Sequence, residues 1–307
     1  MSRVHLIVPF ASPWSAAGRE ALSRLATPAL DALLAGWHEV ERDEGDESSL
    51  CPPHERALAR ALGWRADKES PLPWAARQAA ADGIDVGSAA WGLITPVHWR
   101  VGADAIHLAD PRSLALDEAT SRTLHEAVRP LFESEGFTLL WGAPLRWYAS
   151  HGDLSTMQTA SLDRVIGRPV DRWLPTERGA RLVRRLQNEA QMLLHTHPVN
   201  IEREAAGTPT VNSFWLSGCG VMQRDTRHDV QVDERLSAPA LAEDWPAWTL
   251  AWRSLDASML PTRPLGRLTL CGERSAVAFE PTDRRLWQRV ASALKGRPPS
   301  REWLDAL

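Results

Sequence analysis

The sequence predicts an α/β protein, with a mixed, mostly parallel sheet flanked by helices. Three observations carry this. Strand-like and helix-like segments alternate along the chain. The strand-like segments are near-continuous apolar runs, the pattern of strands covered on both faces. The chain has 307 residues, of which 44% are hydrophobic and 24% charged, enough for a large core. A single α/β unit over residues 1–307 is expected, with two lobes as an option. The stretch His151 to Pro175, rich in Gly, Pro and polar residues, is the candidate junction.

Val4 to Phe10 reads as a buried first strand. Ala16 to Leu25 follows as a helix. Thr27-Pro28 offers an N-cap with proline in the first turn, opening a helix through Leu34 that stops at Gly36. Glu39 to Glu47 is acidic and reads as a solvated loop. Pro52 to Leu62 and Trp74 to Ala81 are alanine-rich helices. Trp91 to Val101 reads as a strand broken by Pro96, and Ile106 to Leu108 continues its sheet. Leu114 to Glu135 is an amphipathic helix with Asp117 and Glu118 near its start, where they complement the helix dipole. Phe137 to Trp141 returns as a strand, and Glu177 to His195 is a helix. Val211 to Leu216 is a strand ending in Ser217-Gly-Cys-Gly. Trp245 to Leu255 is helical. Arg267 to Cys271 and Ala276 to Phe279 form a hairpin around Gly272-Glu-Arg-Ser. Two helices close the chain. Val4 to Phe10, Trp91 to Trp99 and Val211 to Leu216 are expected to share one sheet.

Composition narrows function by exclusion. Formal net charge is −4 and the pI about 6.2, so no basic field marks a nucleic-acid binder. Lys68 and Lys295 are the only lysines, which leaves almost no candidates for Schiff-base or P-loop lysine chemistry. Fifteen Trp stand against the single Tyr148, and their scatter suits packing. Cys51, Cys219 and Cys271, odd in number and widely spaced, suit neither a disulfide framework nor a CxxC metal site. No stretch approaches the roughly 18–20 apolar residues of a membrane helix. A cytoplasmic bacterial protein is expected, with no cofactor and no membrane partner.

One segment carries a pattern. Leu193 to Gly220 contains His197, Pro198, Asn200, Arg203, Gly207, Pro209, Asn212, Gly218 and Gly220 in order. This spacing resembles archaeal-type cofactor-independent phosphoglycerate mutases of the alkaline phosphatase superfamily. The Leu25 to Leu34 segment resembles the threonine-proline helix that follows the first strand there. Over its length the chain is also similar to the RpfE-type regulatory protein family, whose members are often labelled phosphoglycerate mutases. Ala160 to Arg168, Arg185 to Asn200 and Val211 to Gly218 carry that likeness. The resemblance implies a shortened alkaline-phosphatase-like core. It also implies an anion site made of His197, Asn200, Arg203, Asn212, Gly218 and Gly220. An arginine can grip a phosphate or carboxylate through two N–H groups, and glycines bring backbone N–H groups close to a ligand. The other reading of these residues is structural: Pro198, Gly207 and Gly220 shape turns, and Arg203 caps a helix or pairs with Glu189.

The mutases hold a metal carboxylate at the end of the first strand and a late aspartate-histidine pair. Here the strand ends in Val8-Pro9-Phe10, no acid precedes Glu20, and no histidine follows residue 230. Asp225, His228 and Asp229 cluster in a polar stretch that reads as a solvated loop. Three functions stay open. The first is a regulatory protein without metal catalysis, binding a phosphorylated small molecule or a protein. The second is a phosphoryl-transfer enzyme with a rearranged site. The third is a nucleic-acid module drawing on Arg and Trp.

Overall fold

A computed structural model describes residues 3–46, 48–66, 71–176, 179–227, 229–258, 265–282 and 300–307. The chain divides into two compact units, Met1–Trp64 with Asp225–Leu307, and Arg65–Arg224. His151 to Pro175 lies inside the second unit. The elements from the N-terminus are β1 (Val4–Ser12), α1 (Ala16–Ser23), α2 (Pro28–Leu34), β2 (Trp37–Glu44), α3 (Pro53–Leu62), α4 (Trp74–Ala81), β3 (Ala90–Val97), β4 (Trp99–Val101) and β5 (Ile106–Leu108). Next come α5 (Glu118–Ser134), β6 (Thr138–Ala143), β7 (Arg146–Ser150), α6 (Leu162–Val165), α7 (Ala180–His195), α8 (Pro198–Ala205) and β8 (Ser213–Val221). The remainder are β9 (Val230–Val232), α9 (Ser237–Leu241), α10 (Trp245–Ser258), β10 (Leu265–Gly272), β11 (Ser275–Pro281) and a closing helix, Ser300–Asp305.

The first unit holds a five-stranded sheet, β2-β11-β10-β1-β9. β1 runs parallel to β10 and β9, whereas β10–β11 and β11–β2 are antiparallel. One face presents Val8, Leu268, Leu270, Val277 and Phe279 to Leu22, Leu30, Trp248 and Trp252. The other face presents Ile7, Cys271 and Ala276 to Ala57 and Ala61 of α3. The hairpin expected around Gly272-Glu-Arg-Ser is β10–β11.

The second unit holds the antiparallel sheet β6-β7-β3-β8, and β4–β5 form a separate ribbon. Ile94, Trp147, Phe214 and Leu216 pack against Leu124, Val128 and Phe132 of α5 and Val183 and Leu186 of α7. On the opposite face Trp91 and Tyr148 meet Ala75, Ala76 and Ala79 of α4.

Three expectations are corrected. The sheets are not mostly parallel: among the described residues only the two pairings of β1 are. β1 also does not share a sheet with β3 and β8. A continuous apolar run reports burial on both faces, and an antiparallel strand between two helical layers has that too. Finally, Trp37–Glu44 is a strand and not a loop. Its exposure alternates along its length, so charged residues at every second position face one side of an edge strand.

The cap of α2 is also not local. Thr27 makes no side-chain cap; the Asp256 carboxylate of α10 accepts from the N–H groups of Ala29 (3.1 Å) and Leu30 (2.8 Å). Part of Glu177 to His195 and most of the closing residues, 283–299, lie outside the described residues, as does His228.

Candidate functional site

The matched segment begins where α7 ends. Pro198 occupies the first turn of α8, where its missing N–H costs nothing. His197 is the N-cap residue, its Nδ1 accepting from the Val199 N–H at 3.3 Å. Asn200 is buried and works as a bracket. Its Nδ2 donates to the carbonyls of Leu194 (2.8 Å) and Val211 (2.7 Å), and its Oδ1 accepts from the Val211 N–H at 3.0 Å. Asn212 does the same for β4: its Oδ1 accepts from the Trp99 N–H (2.7 Å) and its Nδ2 donates to the Trp99 carbonyl (2.9 Å). Arg203 donates through Nε to the Pro209 carbonyl at 2.8 Å and through Nη2 to the Leu114 carbonyl. Each of these side chains is joined to backbone groups of this unit.

Gly218 and Gly220 have φ of +61° and +139°, where side chains are strained. A Cβ at Gly218 would stand 3.0 Å from the Ala75 nitrogen and the Trp74 Cβ; one at Gly220 would stand 3.1 Å from the Pro73 Cβ. The glycines therefore let the end of β8 approach α4. Between them Cys219 is buried, and burial pushes its thiol up to about 12, which keeps it protonated.

Asn200 and Asn212 share a groove of about 790 Å3, also lined by His98, Asn188, Gln191 and His195. Asn188, Gln191 and His195 stand at i, i+3 and i+7 on α7, so one helix face supplies them. His98 sits at the break between β3 and β4. Its Nδ1 lies 2.7 Å from the Thr210 carbonyl, which can only accept, so Nδ1 carries a proton and donates to it, and in the neutral ring Nε2 is the acceptor. The groove thus offers amides and imidazoles, and Glu204 is the one carboxylic side chain lining it among the described residues. Sequence reading missed His98, Asn188 and Gln191. The polar stripe on α7 was the available signal.

The resemblance implies a metal at the end of β1, and the residues there do not fit one. Phe10 has φ of +54°, and its ring lies 5.3 Å from the His54 ring. The Phe10 carbonyl accepts from Trp248 Nε1 (3.0 Å) and the Ala11 carbonyl from Trp252 Nε1 (3.1 Å). Two indoles thus close off the strand end. Among the described residues no group of three or more His, Cys, Asp or Glu is placed to hold a metal ion. No described helix is long and apolar enough to cross a membrane.

No protein-family model and no curated protein matches the chain. Among solved structures it is similar to the cofactor-independent phosphoglycerate mutase from Thermoplasma acidophilum DSM 1728, with 16% identity, 99% of each chain covered and a TM-score of 0.37. It is also similar to the PH0037 protein from Pyrococcus horikoshii, with 12% identity, 93% of this chain and 89% of the other covered, and a TM-score of 0.44. Both likenesses are distant.

Proposed function

We propose that this chain is a metabolite-binding regulatory protein, as the RpfE-type resemblance implies, and not a metal-dependent phosphoglycerate mutase. The observation that carries the reading is the groove over α7 and α8. Its volume falls within the roughly 300–1,000 Å3 range of small-molecule sites. Its lining of carboxamides and imidazoles suits a polar, hydroxyl- or amide-bearing metabolite. The structural duties of Asn200, Arg203 and Asn212 place the phosphate grip expected of the matched segment outside this proposal. The indole-capped end of β1 supports the same reading on the catalytic side.

The test is a thermal-shift screen against sugars, amides, nucleosides and phosphorylated three-carbon acids. A polar metabolite is expected to raise the melting temperature of the wild type and to act more weakly on Gln191→Ala, which keeps the fold because that side chain is exposed on α7. If nothing in the screen shifts the wild type, or Gln191→Ala responds equally, the groove is not the site.

A further inference from the structure

The first unit contains a second cavity, of about 100 Å3, between its sheet and α3. Its origin lies in the strand register. Arg267 and Thr269 of β10 pair with His5 and Ile7 of β1, Thr269 pairs with Ala278 of β11, and Ala278 and Ala276 pair with Glu41 and Asp43 of β2. These residues share one face of the sheet. α3 covers that face with Ala57 and Ala61, so four alanines meet where larger side chains would fill the space.

The rim of this space is charged. Arg60 lies 2.7 Å from Glu41 and 2.6 Å from Asp43, and Arg56 lies 3.0 Å from Asp43. Arg267 pairs with Glu280 at 3.0 Å and with Glu41. Burial alone would raise the Asp43 pKa, but Arg56 and Arg60 hold it below the ordinary value, so the carboxylate stays charged. Arg227, exposed to solvent, lines the cavity and pairs with no carboxylate among the described residues. Four guanidinium groups therefore face three carboxylates. In addition Arg267 Nε is buried with no acceptor among the described residues. His5, which bonds Thr269 Oγ1 at 2.7 Å, faces Arg267 and Arg227 across this space.

We infer that this cavity binds a tetrahedral oxyanion, either free phosphate or the phosphoryl end of a metabolite, between Arg227, Arg267 and His5. An oxyanion would supply the acceptor that Arg267 Nε lacks and the negative charge that Arg227 lacks. The donors come from β1, β10 and the stretch before β9, an arrangement in three dimensions that fits a tetrahedral group better than a planar carboxylate. The volume takes a phosphoryl group.

The probe is inorganic phosphate, added to the full chain at constant ionic strength with chloride as reference. Phosphate is expected to raise the melting temperature. It is also expected to move the His5 titration, followed by the ring-proton NMR signal, upward from its midpoint near 4, because a bound anion offsets the guanidinium charges beside the imidazole. Arg227→Gln, at an exposed position, should keep the fold and bind phosphate roughly ten- to a hundredfold more weakly, the loss of one charge-assisted hydrogen bond. Glycerol phosphate separates the two sources: tighter binding than phosphate assigns the site to a metabolite's phosphoryl end, and equal binding assigns it to the free ion. A His5 midpoint that phosphate leaves unmoved, or a phosphate effect of equal size in the wild type and Arg227→Gln, overturns the inference.

Discussion

Asn200 satisfies two buried carbonyls and one buried N–H with a single amide. Asn200→Leu would leave the Val211 carbonyl and N–H unpaired, while the Leu194 carbonyl keeps the His197 N–H, so a stability loss of about 2–4 kcal/mol is expected in urea denaturation. Arg203 is joined to two carbonyls, and a lysine can reach only one of them. Arg203→Lys should therefore cost about 1 kcal/mol and leave metabolite binding in the groove unchanged, the opposite of what an anion grip would give. His5 carries a pH dependence. Burial, then Arg267 and Arg227, lower its pKa from 6.5 to about 4, so the folded chain resists protonating it. Its contribution is complete above pH 6.5 and is lost as the pH falls toward 4, which amounts to roughly 2–3 kcal/mol. Comparing the wild type with His5→Asn at pH 7 and pH 4.5 isolates this, and the wild type should lose more stability between the two.

At the scale of elements, β1 and β8 both end in unusual backbone, and each end is fixed by a neighbouring helix. α10 donates two indole N–H groups to the last turns of β1. Trp252→Phe keeps most of the apolar volume but leaves the Ala11 carbonyl without its partner, so a loss of about 1–3 kcal/mol is expected by denaturation. At β8, Gly218→Ala would place a Cβ at positive φ against α4. It should destabilise the second unit by about 1–3 kcal/mol, read from its melting temperature. Neither role is visible locally, because the partner helix lies far away in sequence.

For the whole molecule, the second unit is one continuous segment, Arg65–Arg224. Its ends are tied to each other: the Arg65 N–H donates to Gln223 Oε1 at 2.8 Å, and Gln223 Nε2 donates to the Arg65 carbonyl at 3.3 Å. Expressed alone, residues 65–224 should show one cooperative thermal transition by circular dichroism, since the segment carries its own sheet and core. A coupled assay with Mn, Zn or Mg should show no interconversion of 2- and 3-phosphoglycerate by the full chain. Turnover lost with chelator and restored by one metal would reverse the proposed function.

The sequence by itself determined the class α/β, most of the helices and the β10–β11 hairpin. Those follow from periodicity and from turn and cap residues within a few positions of one another. It also exposed the mismatch at the end of β1, because a missing carboxylate can be read from one residue. The direction of strand pairing was not legible, since apolar runs encode burial and not neighbours. β2 was hidden because its charged residues are balanced by Arg56 and Arg60 on α3 and by Arg267 on β10. The roles of Asn200, Arg203 and Asn212 were decided only when folding brought backbone carbonyls within reach of their side chains. The two cavities belong to tertiary structure for the same reason: one needs a polar stripe of α7 beside the β3–β4 break, the other needs four alanines to meet across a sheet and a helix. Each is a property of distances between segments far apart in the chain, and a linear pattern carries no such distances.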